Sequence, residues 1–252
     1  MNFKTRLSSK KVATIEARMS SSRLPGKIMK DILGKPLLER LVERIRRAEL
    51  VDEVVVATTV NPQDDLVESW AKKAGISIYR GSEEDVLLRV LEAAKAFNGE
   101  IIIELTGDCP LLDPQIIDEV IRFYLHSDVD YASNIVERTY PRGLDVQIFS
   151  TAVLNEVNRL TQDPADHEHV SLYIYEHPER FKLGRLTANK SLCFPEYRLC
   201  VDTPEDFFVV ESVYKELYLK NPAFNTRDVL HYLRQNPEIA QHNQQIQQKP
   251  VR

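Results

Sequence analysis

The chain of 252 residues contains only three cysteines, Cys109, Cys193 and Cys200, and none of them forms a C-x-x-C pair. An odd number without that spacing argues against a disulfide framework and a structural zinc site, so a reducing, cytoplasmic location is expected. No apolar run approaches the roughly 18 residues of a membrane span. The segment VATIEA near the N-terminus is too short and too polar for the apolar core of a signal peptide.

The chain also lacks the positive charge of a nucleic-acid coat protein. Its 38 acidic residues outnumber its 33 basic ones, for a formal net charge of -5, whereas proteins that bind phosphate backbones are normally basic. Its 43% hydrophobic and 28% charged residues are typical of a soluble globular protein. Neither nucleic acid nor a membrane is therefore expected as a partner.

Apolar runs alternate with amphipathic segments along the first half of the chain. The sequence predicts strands over 11–16, 52–59, 76–81 and 100–107, and helices over 35–49, 61–75 and 82–98, the last capped by Ser82. Strand and helix alternating at this spacing predict an α/β fold built on a mostly parallel sheet, with helices on both faces.

The second half is less regular, although it begins with another helix after Asp113-Pro114. Strands are predicted over 143–150, 180–188 and 197–203, and helices over 163–179, 204–219 and 225–235. We interpret residues 1–239 as a single domain with an insertion at about 128–200. The polar tail 240–252 is predicted to be disordered because it has few apolar residues to bury.

The stretch ARMSSSRLPGK directly follows the first predicted strand. Arg18, Arg23 and Lys27 supply three positive charges, three serines supply hydroxyls, and Pro25-Gly26 predicts a turn that returns Lys27 to the same ligand. The stretch matches neither the P-loop nor the G-x-G-x-x-G pattern. Ligands of open α/β sheets bind beyond the carboxyl ends of strands, and arginine binds phosphate through paired hydrogen bonds. We therefore interpret it as a phosphate-binding loop rather than a solvated basic loop.

Two aspartates follow other predicted strands. Asp108, in TGDCP, ends the strand over 100–107, where Gly107 leaves room for a ligand, and Asp202, in CVDTPED, ends the strand over 197–203. Two carboxylates that face bound phosphates suit Mg²⁺, which takes oxygen ligands and completes its octahedron with water and phosphate. Asp113 and Asp206 are instead interpreted as helix-cap and helix-dipole residues.

Together these motifs resemble a known family. IEARMSSSRLPGKIM and ILGKPLLERLVER resemble the nucleotide-binding motif of the cytidylyltransferases that activate acidic sugars, such as the acylneuraminate and 3-deoxy-manno-octulosonate enzymes. TGDCPLLDP and VDTPEDF look like that family's two magnesium motifs. RGSEEDVLLR, YPRGLDVQIFS and DHEHVSLYIYEHPERF are similar to the group named after spore coat polysaccharide biosynthesis protein F. The matches run from about Lys11 to Glu211.

The resemblance implies a Rossmann-like fold of the nucleotide-diphospho-sugar transferase type and a magnesium-dependent activity. That activity would transfer CMP from CTP to an acidic sugar or similar anionic acceptor and release pyrophosphate, for surface polysaccharide or glycan biosynthesis. By resemblance the catalytic residues are Arg18 and Lys27, the metal ligands are Asp108 and Asp202, and the nucleotide-binding residues are Ala17, Arg18, Ser22, Arg23, Lys27, Ser82, Thr106 and Gly107. Thr106 lies in a stretch where the sugar-acid enzymes usually carry a glutamine.

The acceptor is predicted to meet Arg142 and Asp145 in YPRGLDV, with a surface ion pair as the alternative. His169, in DHEH, is a further acceptor candidate. Joint zinc binding by His167 and His169 is disfavoured, because residues two apart on a helix point roughly 200° from each other. The resembling family commonly dimerises through such an insertion, so a homodimer that buries the aromatic residues of 128–200 is expected.

Three other functions stay open from the residues. A glycosyltransferase that uses a nucleotide-sugar would be expected to carry Asp-x-Asp where this strand ends in GDC. A uridylyl- or guanylyltransferase acting on sugar 1-phosphates is disfavoured by the missing glycine-rich opening, and a nucleotidyltransferase that uses another nucleoside triphosphate stays an alternative. A non-catalytic nucleotide-binding module is disfavoured because both aspartate motifs are intact.

Overall fold

The elements of the first half follow the predicted alternation. The computed structural model describes residues 3–249 and 251. The strands are β1 Lys11–Glu16, β2 Asp31–Ile32, β3 Lys35–Pro36, β4 Glu53–Thr59, β5 Ser77–Gly81, β6 Ile101–Thr106, β7 Tyr131–Ser133, β8 Gln147–Ser150 and β9 Leu183–Arg185. The α-helices are α1 Phe3–Ser8, α2 Leu37–Ile45, α3 Asp65–Ala74, α4 Val86–Ala96, α5 Pro114–His126, α6 Thr151–Leu160, α7 Pro164–Glu168, α8 Leu172–Glu176, α9 Pro204–Leu217, α10 Thr226–Gln235 and α11 Pro237–Gln241.

Seven strands of the described chain form one sheet in the order β5-β4-β1-β6-β8-β7-β9. β1 is parallel to β4 and β6, β4 to β5, and β7 to β9, whereas β8 is antiparallel to its neighbours β6 and β7. Within this sheet β8 alone runs against the others. The prediction of a mostly parallel α/β sheet is therefore confirmed.

Apolar side chains of the central strands alternate between two buried faces. Ala13 and Ile15 of β1 join the larger core, which includes residues of α2, α3, α5, α9 and α10, whereas Val12 packs with Ala93 of α4 on the other face. Burial on both faces explains the unbroken apolar run Ile101–Ile103 at the start of β6. Among the described helices, none is both long and apolar enough to cross a bilayer.

Residues 128–200, predicted as an insertion, contribute the three strands β7, β8 and β9 to the same sheet. Helix α6 was not predicted. The helix predicted over 163–179 is divided into α7 and α8 at Val170, whose φ of 36° lies in the left-handed region. A β-branched residue is strained there, but Val170 is fully buried and the next residue, Ser171, donates a 2.6 Å hydrogen bond to Gln147.

The strand predicted over 197–203 is wrong. Its backbone donors bond to two different partners: Leu199 N–H to the carbonyl of Arg142 (2.7 Å) and Val201 N–H to the carbonyl of Asp108 (2.8 Å). The segment is extended, but it joins no ladder beyond one isolated bridge between Arg142 and Arg198. Asp202 therefore lies near the end of β6 without ending a strand of its own.

Two predicted boundaries also differ. Asp85, rather than Ser82, caps α4 by accepting a hydrogen bond from Leu88 N–H (2.8 Å), and Ser82 Oγ instead accepts from Asp85 N–H in the preceding turn. Within the tail 240–252 that is predicted to be disordered, α11 extends to Gln241 and Asn243 is buried. Residues 250 and 252 lie outside the described residues.

The aromatic residues of 128–200 belong largely to the core of the chain itself. Tyr131 and Phe149 are fully buried and stacked with their ring centroids 6.2 Å apart, and Tyr140 is buried as well. Tyr173 and Tyr175 are half-buried. Burial of the first three therefore needs no second subunit, and the homodimer stays a prediction.

Candidate active site

The basic loop after β1 closes on itself. Gly26, with a φ of 69°, adopts the left-handed conformation that favours glycine, and its N–H bonds to the carbonyl of Met19 (2.9 Å). Met19 N–H in turn bonds to the buried carboxylate of Asp64 (2.7 Å). The predicted Pro25-Gly26 turn is thus present, and the short 3₁₀ helix Lys27–Met29 begins directly after it.

Lys27 lies between two carboxylates. Its Nζ is 2.8 Å from Asp108 Oδ2 and 2.9 Å from Asp202 Oδ1, so the turn brings the lysine back to the end of β6. These three residues, separated by up to 175 positions in the sequence, were all predicted as site residues. The structure brings them together at one point.

The charges at this point stabilise one another. Burial by itself lowers the pKa of Lys27, but the attraction of Asp108 and Asp202 outweighs it and raises the pKa above its ordinary value. Burial likewise raises the pKa of Asp108, but the charge and hydrogen bond of Lys27 hold it below its usual range. At neutral pH, Lys27 is therefore protonated and Asp108 is ionised.

Asp202 is held on its other side by a buried ion network. Its Oδ2 accepts a 2.6 Å hydrogen bond from Arg198, whose Nε also donates to Asp206 (2.9 Å). Asp206 is fully buried, and its carboxylate accepts the N–H groups of Asp202 and Thr203 in a capping box at the start of α9. Asp206 therefore caps α9 and orients the Asp202 peptide as well.

The two arginines of the loop are differently engaged. Arg18 contacts Glu83 (3.2 Å), which also accepts a 2.5 Å hydrogen bond from Ser20, and Arg23 contacts Asp202 Oδ1 (2.9 Å). Their side chains are 39% and 36% exposed. Both guanidinium groups therefore remain accessible to an anion from solvent.

An open cleft of about 340 Å³ lies over the loop and the end of β6, a size that suits a small-molecule ligand. Five basic and three acidic side chains line it in the described chain. The predicted site residues that line it are Ala17, Arg18, Ser22, Arg23, Lys27, Thr106, Gly107, Asp108 and His169. Asp202 is reached from this cleft through Lys27 and Arg23.

Besides Asp202, three predicted site residues are not part of the cleft lining: Ser82, Arg142 and Asp145. Ser82 is exposed in the turn before α4. Asp145 pairs with Arg138 rather than with Arg142, and the Arg142 backbone joins the 197–199 segment. Asp145 thus makes an ion pair with Arg138, and acceptor binding by Arg142 and Asp145 stays a prediction. His167 also points elsewhere, to Asp85 (2.8 Å).

Sequence reasoning missed two buried charges in the cleft lining, Glu16 and Arg89. Burial raises the pKa of Glu16 to about 7, against the attraction of Arg89. One Glu16 oxygen and the Arg89 Nε have no hydrogen-bond partner in the described part of the chain. The sequence holds a signal that could have drawn attention to Arg89, because this arginine interrupts the apolar stripe of VLLRVLEAA.

Comparison with known proteins shows the family to which this chain belongs. The family model described as cytidylyltransferase matches residues 12–246. This chain belongs to the cytidylyltransferase family. The predicted resemblance is confirmed, and so is the prediction that the chain is a nucleotidyltransferase. The non-catalytic module and the glycosyltransferase are thereby set aside.

Relatives of this cytidylyltransferase match along nearly the whole chain. Spore coat polysaccharide biosynthesis protein SpsF of Bacillus subtilis is 32% identical over 231 residues, covering 90% of this chain and 95% of that protein. The 3-deoxy-manno-octulosonate cytidylyltransferase of Solibacter usitatus is 30% identical over 247 residues, covering 83% and 96%. The solved structure of a cytidylyltransferase from Leptospira borgpetersenii superposes with a TM-score of 0.88 at 36% identity, covering 95% of this chain and all of that one.

Proposed function

We propose that this chain is a magnesium-dependent cytidylyltransferase that transfers CMP from CTP to an acidic sugar and releases pyrophosphate. Family membership supports the reaction class. The relatives named for 3-deoxy-manno-octulosonate and for spore coat polysaccharide support an acidic sugar destined for a surface glycan.

The observation that carries the proposal is the position of Lys27 between Asp108 and Asp202. A cation already lies within 3 Å of one oxygen of each carboxylate, so the two side chains converge on a single point. Carboxylate oxygens, with water and phosphate oxygens completing the shell, are the ligands Mg²⁺ prefers. Asp108 and Asp202 would hold the ion, which when bound neutralises phosphate charge.

The loop residues would align and neutralise the nucleotide. Arg18 and Arg23 are accessible and would bind the phosphates, while Lys27 would turn from the carboxylates towards the departing pyrophosphate. An acceptor hydroxyl oxygen would attack the α-phosphorus of CTP and form a new P–O bond there. The bond from that phosphorus to the oxygen bridging to the β-phosphate would break, pyrophosphate would leave with that oxygen, and the hydroxyl proton would pass to solvent. Positioning and charge neutralisation supply most of the catalysis in such a transfer.

The lining of the cleft supports an anionic acceptor. Basic side chains outnumber acidic ones there, and His169 lies at the same cleft with Lys249. Arg142 and Asp145 do not line it, so acceptor binding is proposed for His169 alone among the three predicted residues.

The test is pyrophosphate release. The protein would be incubated with magnesium, each of the four nucleoside triphosphates and a panel of acidic and neutral sugars. We expect release with CTP and an acidic sugar. Equal release with all four nucleotides would reject CTP specificity, and faster release with a neutral sugar would reject the acidic acceptor.

Two variants with a matched control test the carboxylates. Asp108→Asn and Asp202→Asn should each abolish release while leaving the protein folded, because an amide keeps the shape and loses the charge. Glu205→Gln changes a neighbouring carboxylate that contacts neither Lys27 nor Arg198, and should retain activity. Near-normal release by either asparagine variant would show that its carboxylate is structural.

A further inference from the structure

The C-terminal segment 242–249 reaches the ion network behind Asp202. Asn243 is only 2% exposed, and its Nδ2 donates two hydrogen bonds: one to the backbone carbonyl of Arg198 (3.0 Å) and one to Asp206 Oδ1 (2.8 Å). Because both N–H groups of this buried amide donate, Asn243 fixes the backbone of Arg198 and the side chain of Asp206.

The same segment also supplies a hydrogen-bond acceptor for the third nitrogen of the Arg198 guanidinium. Nε donates to Asp206, Nη2 donates to Asp202, and Nη1 donates to Gln248 Oε1 at 2.8 Å. Arginine carries its donors in a rigid planar fork. Because Gln248 accepts from Nη1, the orientation of the planar guanidinium is fixed, and with it the orientation of Nη2, which donates to Asp202.

We propose that Asn243 and Gln248 are positioning residues for Asp202, acting through Arg198 and Asp206. The inference rests on the proposed function, in which Asp202 is a metal ligand. With Oδ2 committed to Arg198, the other oxygen, Oδ1, is presented to Lys27 on the cleft side. Substitution of a residue that orients a metal-ligating carboxylate typically lowers metal affinity or activity by about 10–100-fold.

The course of the chain agrees with this role. Directly after Gln248, Lys249 lines the cleft itself and lies 3.8 Å from Glu168. The segment thus passes from the buried network to the rim of the site within a few residues.

The test measures metal binding rather than turnover. Mn²⁺ would be titrated into the full-length protein with CTP and into CTP alone, and free Mn²⁺ followed by its electron paramagnetic resonance signal, so that the difference reports the ion held by the protein. Gln248→Ala should raise the apparent dissociation constant about tenfold or more. Gln248→Glu keeps an acceptor for Arg198 and should restore near-wild-type binding.

Two further variants separate positioning from packing. Gln247→Ala changes an exposed neighbour and should bind Mn²⁺ like the wild type. Asn243→Asp keeps the shape of the side chain but places an acceptor against the acceptors of Asp206 and Arg198. It should therefore weaken binding at least as much as Asn243→Ala.

The outcomes distinguish this inference from the proposed function. If the wild type itself fails to bind Mn²⁺ with CTP, the proposed metal site is rejected and the inference falls with it. If the wild type binds and Gln248→Ala binds equally well, the inference alone is overturned. Equal loss in Gln248→Ala and Gln248→Glu would also overturn it, since the acceptor for Arg198 would then be irrelevant.

Discussion

Asp108 and Asp202 meet at the same lysine, but two regions of the molecule deliver them by different means. Asp108 follows β6, which is in parallel register with β1, and Gly107 N–H bonds to the carbonyl of Glu16 at 2.8 Å. Asp202 lies in no strand and is held through side chains, by Arg198 and Asp206. Backbone ladders build one half of the site, and buried charges build the other.

The difference teaches where each half is vulnerable. A β-ladder tolerates most side-chain substitutions, because its hydrogen bonds are made by the backbone. It is disrupted by an added side chain where two backbone segments approach closely. A buried ion network tolerates backbone variation but fails when one charge is removed, since the remaining charges lose their compensation.

The largest expected effect is in the half held by charge. Arg198→Met leaves the fully buried Asp206 without its counter-ion and should lower the free energy of unfolding by about 3–5 kcal/mol, measured by urea denaturation. Arg180→Met removes a half-exposed ion pair with Glu156 and should cost less than about 1 kcal/mol. Similar losses in both variants would break the comparison.

Lys27 joins the two halves, so its removal tests both together. Lys27→Met should lower kcat about a hundredfold, about 2.7 kcal/mol, with a smaller change in KM for CTP, because charge on the departing pyrophosphate grows in the transition state. Steady-state kinetics measure the split. Lys30→Met, which removes a lysine stacked on Phe207, is the control. A rise in KM alone would show that Lys27 merely attracts nucleotide.

Gly107→Ala probes the half held by backbone. A Cβ at this position would lie 2.7 Å from the carbonyl oxygen of Glu16 and 3.0 Å from the Ala17 Cβ. The close approach of β1 therefore explains this glycine better than the predicted room for a ligand. We expect a loss of roughly 1–3 kcal/mol in urea denaturation, and an unchanged midpoint would contradict the close approach.

The smallest effect concerns the contact of His167 in α7 with Asp85 at the start of α4 (2.8 Å). Burial lowers the pKa of His167, but the hydrogen bond to Asp85 outweighs it and raises the pKa above 6.5. The contact therefore stabilises the fold fully below about pH 6.5 and is lost as the pH rises through the higher folded pKa. His167→Gln should lower the Tm slightly at pH 6 and not at pH 9. An equal deficit at both would reject the charge contribution.

The sequence predicts the first half well because its signals are local. β1, β4, β5 and β6 lie within two residues of their predicted bounds, since each is an apolar run between turn residues. The meeting of Lys27 with Asp108 follows from the rule that ligands bind beyond the carboxyl ends of parallel strands.

The second half carries its information in distant contacts. Nothing local in NQQIQQK indicates that Asn243 bonds to Arg198, 45 positions earlier. The apolar alternation in YRLCVDT favours a strand, but the donors of Leu199 and Val201 bond to Arg142 and Asp108 instead. Hydrogen bonds to distant segments thus prevent the strand that the local pattern favours.

The ammonium of Lys27 has a consequence for how the protein matures. Acidic metal sites commonly couple folding to metal uptake, because their carboxylates repel one another until an ion arrives. At the proposed metal site the polypeptide supplies its own cation between Asp108 and Asp202. A newly made chain can therefore complete its fold before it meets any divalent ion, and the thermal midpoint should be the same in EDTA as in magnesium when nucleotide is absent.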